Sequence, residues 1–366
     1  MILMNDFNAE PAELRKAMLD AAKRVIDSGW YVLGNEVINF EKQWAELCGM
    51  NYAVGLGNGM DAIEIALRSL EIGPGDEVIT TSMTAFATVL AILRAGATPV
   101  LADIEDETAL LSKKSVLRCI SSKTKAMVLV HLYGQVCDMS NWQKLCADNN
   151  IYLIEDCAQS HLAELNGKFA GSFGDAGAYS FYPTKNLGAI GDAGALVTNN
   201  EAIAERASKL RNYGQSVRYH HPELGMNSRL DEIHAAMLSE RLKWLVSFTE
   251  RRREIADQYR AGIYNNKISL LSVPQERSAH AYHLFVVKTS ERDALQKHLQ
   301  KNDVQSLIHY PIPIHHQDSC RGIKIDPKGL IESELHATQC LSIPCHPHMT
   351  NTDVEQVINS INSFGI

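Results

Sequence analysis

The chain has 366 residues, a length that favours one large and one smaller domain. Of these residues 45% are hydrophobic and 21% are charged, a composition typical of a globular protein. Its 35 basic and 43 acidic residues give a net charge of −8, which argues against nucleic acid as the main partner. No stretch approaches the roughly 20 uncharged apolar residues of a membrane span, and the first residues lack the pattern of a secretory signal.

Predicted strands and helices alternate through the first half of the chain. Apolar spacing predicts helices over 12–29, 59–73, 84–95 and 140–149 and strands over 51–57, 77–81, 98–104, 126–133 and 151–156. Several of these strands are continuous apolar runs, as parallel strands covered on both faces require. The pattern therefore predicts an α/β fold, with a mostly parallel sheet between helices.

The pattern changes after residue 200. Long helical stretches at 201–214 and 229–259 lead to a smaller mixed segment, whose clearest strand is HLFVVK at 283–288. A boundary inside the second long helix divides the chain into a large domain, 1–245, and a smaller C-terminal α+β domain, 246–366. No flexible linker separates them, so we expect the two parts to pack firmly.

Cysteine and histidine positions indicate no metal site. The eight cysteines are scattered without a C-x-x-C pair, which fits a reduced, cytoplasmic setting. The motif CHPH, at 345–348, is the nearest approach to a ligand cluster. Histidines in a loop near a chain end are more often polar surface, and we expect no bound metal.

A glycine-rich turn, GLGNGMDAIEIAL, joins a predicted strand to a predicted helix near Asn58. Free backbone N–H groups and the positive end of the helix dipole make such a turn a natural phosphate seat. A dinucleotide fingerprint would need glycine where Met60 stands, and an acid about twenty residues further on. The dinucleotide-binding interpretation therefore fails. On this motif alone, a tight turn that binds no ligand remains an alternative to a phosphate site.

The motif EDCAQSH, at 155–161, places an acid at the carboxyl end of a predicted parallel strand. Open α/β sheets keep their ligands at this edge, which makes Asp156, followed by Gln159, a candidate for ligand binding. A helix cap is the alternative for an acid in this position.

The stretch YSFYPTKNLGAIGDAGALV, at 179–197, resembles a buried strand and then turns at Lys185, where an ammonium group would be expensive to desolvate. A lysine beside an aldehyde cofactor loses its charge by forming a Schiff base, which removes that difficulty. The cofactor that combines a phosphate, a pyridine nitrogen and an aldehyde is pyridoxal phosphate. A helix N-terminus, Asp156 and Lys185 together therefore predict a pyridoxal 5′-phosphate site.

Four motifs carry a resemblance to a known family: NGMDAI at 58–63, EDCAQSH at 155–161, SFYPTKNLGAIGDAGA at 180–195 and LGMNSRLDEIHAAML at 224–238. They resemble the DegT/DnrJ/StrS-type sugar aminotransferases, which have the aspartate aminotransferase fold, fold type I of the pyridoxal phosphate enzymes. The similarity extends from about residue 29 to residue 317. The first motif and the lysine motif are similar to the branch that aminates C3 of the sugar.

The resemblance implies a role for each matching residue. Lys185 would hold the cofactor and then carry the proton between the amino-bearing carbon and C4′ of the cofactor, and Asp156 would pair with the pyridinium nitrogen. Gln159 would bind the phenolic oxygen. The phosphate would be held by Gly59, Met60 and Ser180 and by Asn227 of a neighbouring subunit, which implies a homodimer with shared active sites. The sugar site would include Tyr182, His309, Tyr310 and His315. Apart from the resemblance, basic residues in the glycine-containing loop region, such as Arg218 or Arg229, are expected to meet the diphosphate of the nucleotide.

Two positions depart from the family pattern. The stretch TAFAT, at 84–88, carries Ala85 where the family has an aromatic ring over the cofactor, and Phe86 is one residue later. One residue is about 100° of rotation on a helix, so Phe86 need not face the cofactor. Ala193 stands where glycine is common.

The reaction that the resemblance implies is transfer of an amino group from L-glutamate to a nucleotide-linked, expected dTDP-linked, 3-keto-6-deoxy sugar. Related dehydratases have histidine in place of the lysine, so Lys185 favours transamination. Three alternatives remain open at this point: amination at C4, amination of a UDP-linked 3-keto uronic acid, and a regulator that binds the cofactor without catalysis.

Overall fold

A computed structural model describes residues 1–365 of the chain. Its α-helices are α1 (Ala12–Ser28), α2 (Asn35–Cys48), α3 (Gly59–Ser69), α4 (Phe86–Arg94), α5 (Lys113–Cys119), α6 (Met139–Asn149), α7 (Glu201–Leu210), α8 (Glu232–Leu242), α9 (Leu245–Gly262), α10 (Arg292–Lys301), α11 (Ile331–Gln339) and α12 (Asn351–Asn362). Its strands are β1 (Tyr52–Leu56), β2 (Glu77–Thr81), β3 (Thr98–Ala102), β4 (Thr124–Val130), β5 (Tyr152–Asp156), β6 (Glu164–Leu165), β7 (Lys168–Phe169), β8 (Ala176–Ser180), β9 (Gly194–Thr198), β10 (Ser269–Leu270), β11 (Phe285–Lys288), β12 (Lys324–Ile325) and β13 (Cys340–Ile343). Among the helices of residues 1–365, none combines the length and apolarity that crossing a bilayer requires.

The central sheet has eight strands in the order β1-β9-β8-β5-β4-β2-β3-β12. Strand β9 is antiparallel to both of its neighbours, and the other pairs are parallel. The predicted α/β fold with a mostly parallel sheet is confirmed.

Strand β4 shows why the sheet needs helices on both sides. Met127 and Leu129 belong to one apolar cluster, whereas Ala126 and Val128 belong to a second one. Because successive side chains of a strand point to opposite faces, the sheet lies between the two clusters. The continuous apolar run Ala126–Val130 suits this environment and would not suit a sheet with one face in water.

The C-terminal part forms a smaller sheet in the order β10-β11-β13, with antiparallel pairs. A separate apolar cluster, which includes Tyr259, Val287 and Leu299, covers it. The predicted helix over 229–259 is two helices, because the chain leaves the helix at Lys243 and Trp244 between α8 and α9. Strand β12 returns to pair with β3, and the division near residue 245 stays a prediction.

Strand register brings three distant segments to one edge of the central sheet. Gly194 lies opposite Leu56 on β1 and opposite Ser180 on β8. Asp156, the last residue of β5, lies opposite Ala178. The chain leaves β1, β5 and β8 at this edge, so the three motifs that carry the predicted cofactor residues are neighbours in space.

Candidate active site

The N-terminus of α3 supplies the predicted phosphate seat. Asn58 caps this helix, since its side-chain oxygen accepts a hydrogen bond from Asp61 N at 2.8 Å. Within the described residues, the N–H groups of Gly59 and Met60 donate to no acceptor. Two free N–H groups at the positive end of a helix dipole fit a phosphate.

Ser180 lies directly against this helix end. A Cβ atom built on Gly59 would come within 2.7 Å of Ser180 Cβ, and one built on Gly194 would come within 2.4 Å of the Asn58 carbonyl carbon. Glycine is needed at both positions because the segments approach so closely. The Ser180 side chain is thereby brought beside the free N–H group of Gly59.

We expect Gly194→Ala to weaken binding of the cofactor phosphate. The added methyl group would collide with the Asn58–Gly59 backbone, and overpacking of this kind costs about 1–3 kcal/mol. The resulting shift of the free N–H groups should raise the dissociation constant of pyridoxal phosphate by about tenfold, measured by titrating cofactor-free protein. Gly73→Ala is the matched control, because the nearest atom to a Cβ there is Ala95 O at 3.4 Å. Equal affinities for the two variants would contradict the expectation.

Asp156 is a buried carboxylate at the end of β5, with 7% of its surface exposed. Its Oδ2 accepts a hydrogen bond from Thr88 Oγ1 at 2.8 Å, and its Oδ1 accepts one from Ala158 N at 3.1 Å. Thr84 Oγ1 lies 2.9 Å from Thr88 Oγ1 and continues the chain of hydroxyls. A buried carboxylate at this position fits a partner that is a protonated ring nitrogen.

Thr88 was not among the predicted site residues. Thr88 lies in the first turn of α4, and Thr84, four residues earlier, lies in the segment just before that helix. That spacing was visible in TAFAT, although its relation to Asp156 depends on how α4 packs beside β5.

Glu155 anchors the loop that follows β7. Its Oε1 accepts hydrogen bonds from Phe173 N and Gly174 N, both at 2.7 Å, and its Oε2 accepts one from Gly171 N at 2.8 Å. His131 Nε2 lies 2.8 Å from the same Oε2. Four partners explain how this carboxylate is tolerated with no exposed surface. They hold the end of β5, and with it Asp156, in place.

Gln159 connects the site to the C-terminal loop. Its Oε1 accepts a hydrogen bond from Tyr133 N at 2.6 Å, and its Nε2 donates one to the Tyr310 hydroxyl at 3.0 Å. The structure thus places the Tyr310 hydroxyl beside Gln159, and the role of Tyr310 in the sugar site stays a prediction. Burial, and then the charge of Asp156, raise the pKa of Tyr310, so its hydroxyl is neutral. The bond from Gln159 to the cofactor's phenolic oxygen stays a prediction.

Lys185 lies in the turn after β8, where its N–H donates to Tyr182 O at 2.8 Å. The residue is half-buried, and its Nζ has no hydrogen-bond or salt-bridge partner within residues 1–365. Burial lowers the pKa of this amine to about 8, although the nearby charge of Asp156 acts in the opposite direction. An unpaired amine with a lowered pKa suits both imine formation and proton transfer.

The lowered pKa predicts how Lys185 reacts in cofactor-free protein. The rate of acetylation of an amine follows its neutral form, so reaction at Lys185 should rise through a midpoint near pH 8 instead of 10.5. In Asp156→Asn the midpoint should move lower, because the carboxylate that raises this pKa is gone. Mass spectrometry of the labelled peptide measures both, with the exposed Lys144 as internal reference. A wild-type midpoint near 10.5 would show that burial does not act on this amine.

Three histidines lie within electrostatic range of Lys185. Burial and the charge of Lys185 lower the pKa of His161 to about 3 and that of His309 to about 4. The same two causes hold the pKa of His283 well below its usual value. All three imidazoles are therefore neutral at physiological pH. His309 Nδ1 lies 2.7 Å from Ser342 Oγ, which fixes the ring beside the site.

His283 and Asn186 were also not predicted. Asn186 Nδ2 donates to Ala281 O at 2.9 Å, and its Oδ1 lies 3.3 Å from His283 Nδ1. The amide therefore ties the lysine-bearing turn to the segment that enters β11. A histidine at the start of the predicted strand 283–288 was the available signal, but its partner is nearly one hundred residues away in sequence.

Several predicted site residues are not drawn together within this chain. Tyr182 is 51% exposed, and Asn227 is also exposed. Arg218 donates to the neighbouring Tyr219 hydroxyl at 3.2 Å, and Arg229 donates to Asn212 Oδ1 at 3.1 Å. These residues stay predictions, since a second subunit would be needed to place Asn227 at a phosphate.

His315 lies in the C-terminal loop, where its Nε2 is 3.0 Å from Glu334 Oε1. Phe86 is the first residue of α4 and packs against an apolar cluster that includes Leu101 and Ile314. The expectation that Phe86 need not face the cofactor stays a prediction. Ala193 is buried and accepts a hydrogen bond from Phe181 N at 2.7 Å, so alanine is accommodated there.

Residues 12–362 match the DegT/DnrJ/EryC1/StrS aminotransferase family. A dTDP-3-amino-3,6-dideoxy-alpha-D-galactopyranose transaminase from Aneurinibacillus thermoaerophilus is 44% identical over all of both chains. The crystal structure of Streptomyces venezuelae DesV, in complex with a ketimine intermediate, has a TM-score of 0.95 and 39% identity, covering 99% of this chain and 98% of that one. The Bacillus subtilis NtdA structure, with bound cofactor PMP, has a TM-score of 0.89 and 28% identity, covering 96% of this chain and 82% of that one.

Proposed function

Because the chain belongs to the DegT/DnrJ/EryC1/StrS aminotransferase family, we propose that it transfers the amino group of L-glutamate to C3 of a dTDP-linked 3-keto-6-deoxy sugar. The chain is an aminotransferase, and its cofactor is pyridoxal phosphate. The donor, the sugar and the position of amination are the proposal. The similarity to a dTDP-linked 3-amino sugar transaminase along the full length of both chains supports it.

One observation carries the chemical part of the proposal. The unpaired amine of Lys185, the buried carboxylate of Asp156 and the two free N–H groups of α3 meet at one edge of the central sheet. Within the described residues the amine and the two N–H groups have no hydrogen-bond partner, and Asp156 carries its charge in a buried position, so each of the three is costly without a ligand. A small molecule with a phosphate, a ring nitrogen and an aldehyde satisfies all three.

Each side chain has a separate task in amino transfer. Bound pyridoxal phosphate supplies an electron sink for the charge left when a proton leaves the amino-bearing carbon. Lys185, with its lowered pKa, would take that proton and return it, which is general acid–base catalysis. Asp156 would keep the proton on the ring nitrogen, and Gln159 would donate to the phenolic oxygen. The sugar would be bound by Tyr182, His309, Tyr310 and His315.

The proposal includes a homodimer with shared active sites. Asn227 is exposed in the single chain, although the resemblance assigns it to the phosphate of a neighbouring subunit. Large apolar side chains are exposed nearby in sequence, with Tyr219 82% and Leu224 88% exposed. A subunit interface would bury this surface.

Product structure tests the proposal directly. Purified protein would be incubated with L-glutamate and, separately, a dTDP-linked 3-keto sugar, a dTDP-linked 4-keto sugar and a UDP-linked 3-keto uronic acid, followed by NMR of the product. We expect a 3-amino sugar from the first substrate. Preferred turnover of either of the others would replace the proposed substrate by that alternative. A cofactor absorption band that glutamate does not bleach would favour a cofactor-binding regulator.

A further inference from the structure

A small cavity adjoins the turn that carries Lys185 and is separate from the phosphate seat on α3. The turn residues Pro183–Asn186 form one part of its lining, and the N-terminal residues Asn5–Phe7 form another. Arg252 of α9 and His346 also line the cavity. The cavity therefore lies next to the residue at which amino transfer would occur, and its lining includes the Arg252 guanidinium.

Arg252 is a buried cation without an acidic partner. It is 5% exposed, and its Nη1 donates to the backbone carbonyls of Tyr282 at 3.2 Å, of His283 at 3.5 Å, and of Cys345. Its Nε and Nη2 donate to no acceptor, and no carboxylate lies within 4 Å of it among residues 1–365. A buried guanidinium normally has an anion beside it, because desolvating an uncompensated charge is unfavourable.

The two acidic groups that line the cavity, Asp6 and Glu10, form no salt bridge with Arg252. Glu10 pairs with Arg241 at 2.6 Å, and Asp6 accepts a hydrogen bond from Asn8 N at 2.9 Å. His346 is 5% exposed and its Nδ1 is buried without a partner. Burial, and then Arg252, lower the pKa of His346 to about 4, so it contributes no charge at neutral pH. Arg252 thus has free donors toward which no resident carboxylate is directed.

We propose that this cavity binds a carboxylate group of the amino donor, with the free N–H groups of Arg252 as its main hydrogen-bond donors. The inference rests on the proposed function, since a donor must place its amino group at the cofactor carbon that Lys185 otherwise holds. The α-carboxylate is one carbon from that amino group, whereas the diphosphate of a nucleotide sugar is at the far end of that substrate. A planar guanidinium is suited to bind a carboxylate through two parallel hydrogen bonds.

The two half-reactions separate this proposal from a structural role for Arg252. In Arg252→Gln, conversion of the cofactor by L-glutamate should slow by about 100-fold, while amino transfer from the pyridoxamine form to the keto sugar stays unchanged. Arg252→Lys should recover part of the first rate, because the positive charge remains. Both half-reactions are followed by single-turnover absorbance. Equal slowing of both, or of neither, would overturn the proposal.

Arg253→Gln is the matched control on the same helix. Arg253 donates to the carbonyls of Ser278 at 2.9 Å, Leu162 at 3.0 Å and His280 at 3.1 Å, and does not line the cavity. We expect both of its half-reactions to proceed as in the wild type.

A binding measurement keeps the inference independent of turnover. Glutarate, which has two carboxylates and no amino group, should bind to purified holoenzyme in calorimetry, and Arg252→Gln should weaken it about 100-fold. Comparison of L-glutamate with L-alanine as donor then shows which carboxylate is bound: a loss with both indicates the α-carboxylate, and a loss with glutamate alone indicates the side-chain carboxylate. If wild-type protein uses no donor but its glutarate binding depends on Arg252, the proposed function fails and the anion site stands. Glutarate binding that is unaffected by the substitution would contradict the site.

Discussion

Replacing Lys185 with alanine should reduce amino transfer by about a thousandfold or more while leaving the fold intact. Two losses act together, since the residue would both tether the cofactor and carry the proton, and general acid–base catalysis alone contributes about 10²–10⁴-fold. The neighbouring histidines are poor substitutes as a base, because burial, which remains when the lysine is removed, is the largest cause that lowers the pKa of His161 to about 3 and that of His309 to about 4. Steady-state kinetics with L-glutamate and a dTDP-linked 3-keto sugar measures the change.

Stability distinguishes this result from unfolding. Lys185 Nζ has no partner within residues 1–365, and burial lowers its pKa, so the ammonium form is destabilised in the folded protein. Removing the amine should therefore leave the melting temperature unchanged or raise it. Lys144→Ala, in the exposed part of α6, controls for loss of a lysine. Partial recovery of the Lys185→Ala rate by added methylamine would confirm that the missing group is an amine, and a large drop in melting temperature would indicate a structural role.

The parts of the fold that could be predicted are those controlled by local pattern. β4 contains the apolar run Ala126–Val130 and β5 begins with the apolar run Tyr152–Ile154, which identifies parallel strands between layers without knowledge of their neighbours. The break at Lys243 and Trp244 was missed because neither residue interrupts helical periodicity, as glycine or proline would. The pairing of β12 with β3 joins residues more than two hundred positions apart, and no local pattern encodes it.

The same distinction applies to the site. Asp156 and Lys185 were accessible from sequence because each follows a strand and carries a charge that burial disfavours. Thr88 and His283 act through partners on other elements, and their types are common in positions without any function. Arg252 lies in an arginine run, RRR at 251–253, where only packing shows which guanidinium is buried without an acid. Only the tertiary contacts of Thr88, His283 and Arg252 distinguish them from other residues of the same types.

Asp156→Asn should lower kcat by about 10²–10³-fold, the range observed when a fixed electrostatic group is removed from a transition state. Asparagine keeps the size of the side chain; its single oxygen can still accept the hydrogen bond from Ala158 N, and its amide N–H can donate to the Thr88 hydroxyl. It cannot supply the negative charge that keeps a ring nitrogen protonated. Thr88→Val, which removes one hydrogen bond and keeps the charge, should lower kcat by only about tenfold, since such a bond contributes about 1–1.5 kcal/mol.

The sign of a second effect identifies how Asp156 acts. Its charge raises the pKa of Lys185, so Asp156→Asn should lower that pKa further below about 8 and increase the fraction of neutral amine at pH 7. If Asp156 acted only by changing the pKa of Lys185, the substitution would make the neutral amine more available as a base and would not slow proton removal. A large loss of kcat, combined with a lower midpoint for Lys185 acetylation, therefore assigns the loss to the ring nitrogen. If kcat instead stays within about threefold of wild type while the midpoint shifts, Asp156 interacts with Lys185 but does not pair with the cofactor ring.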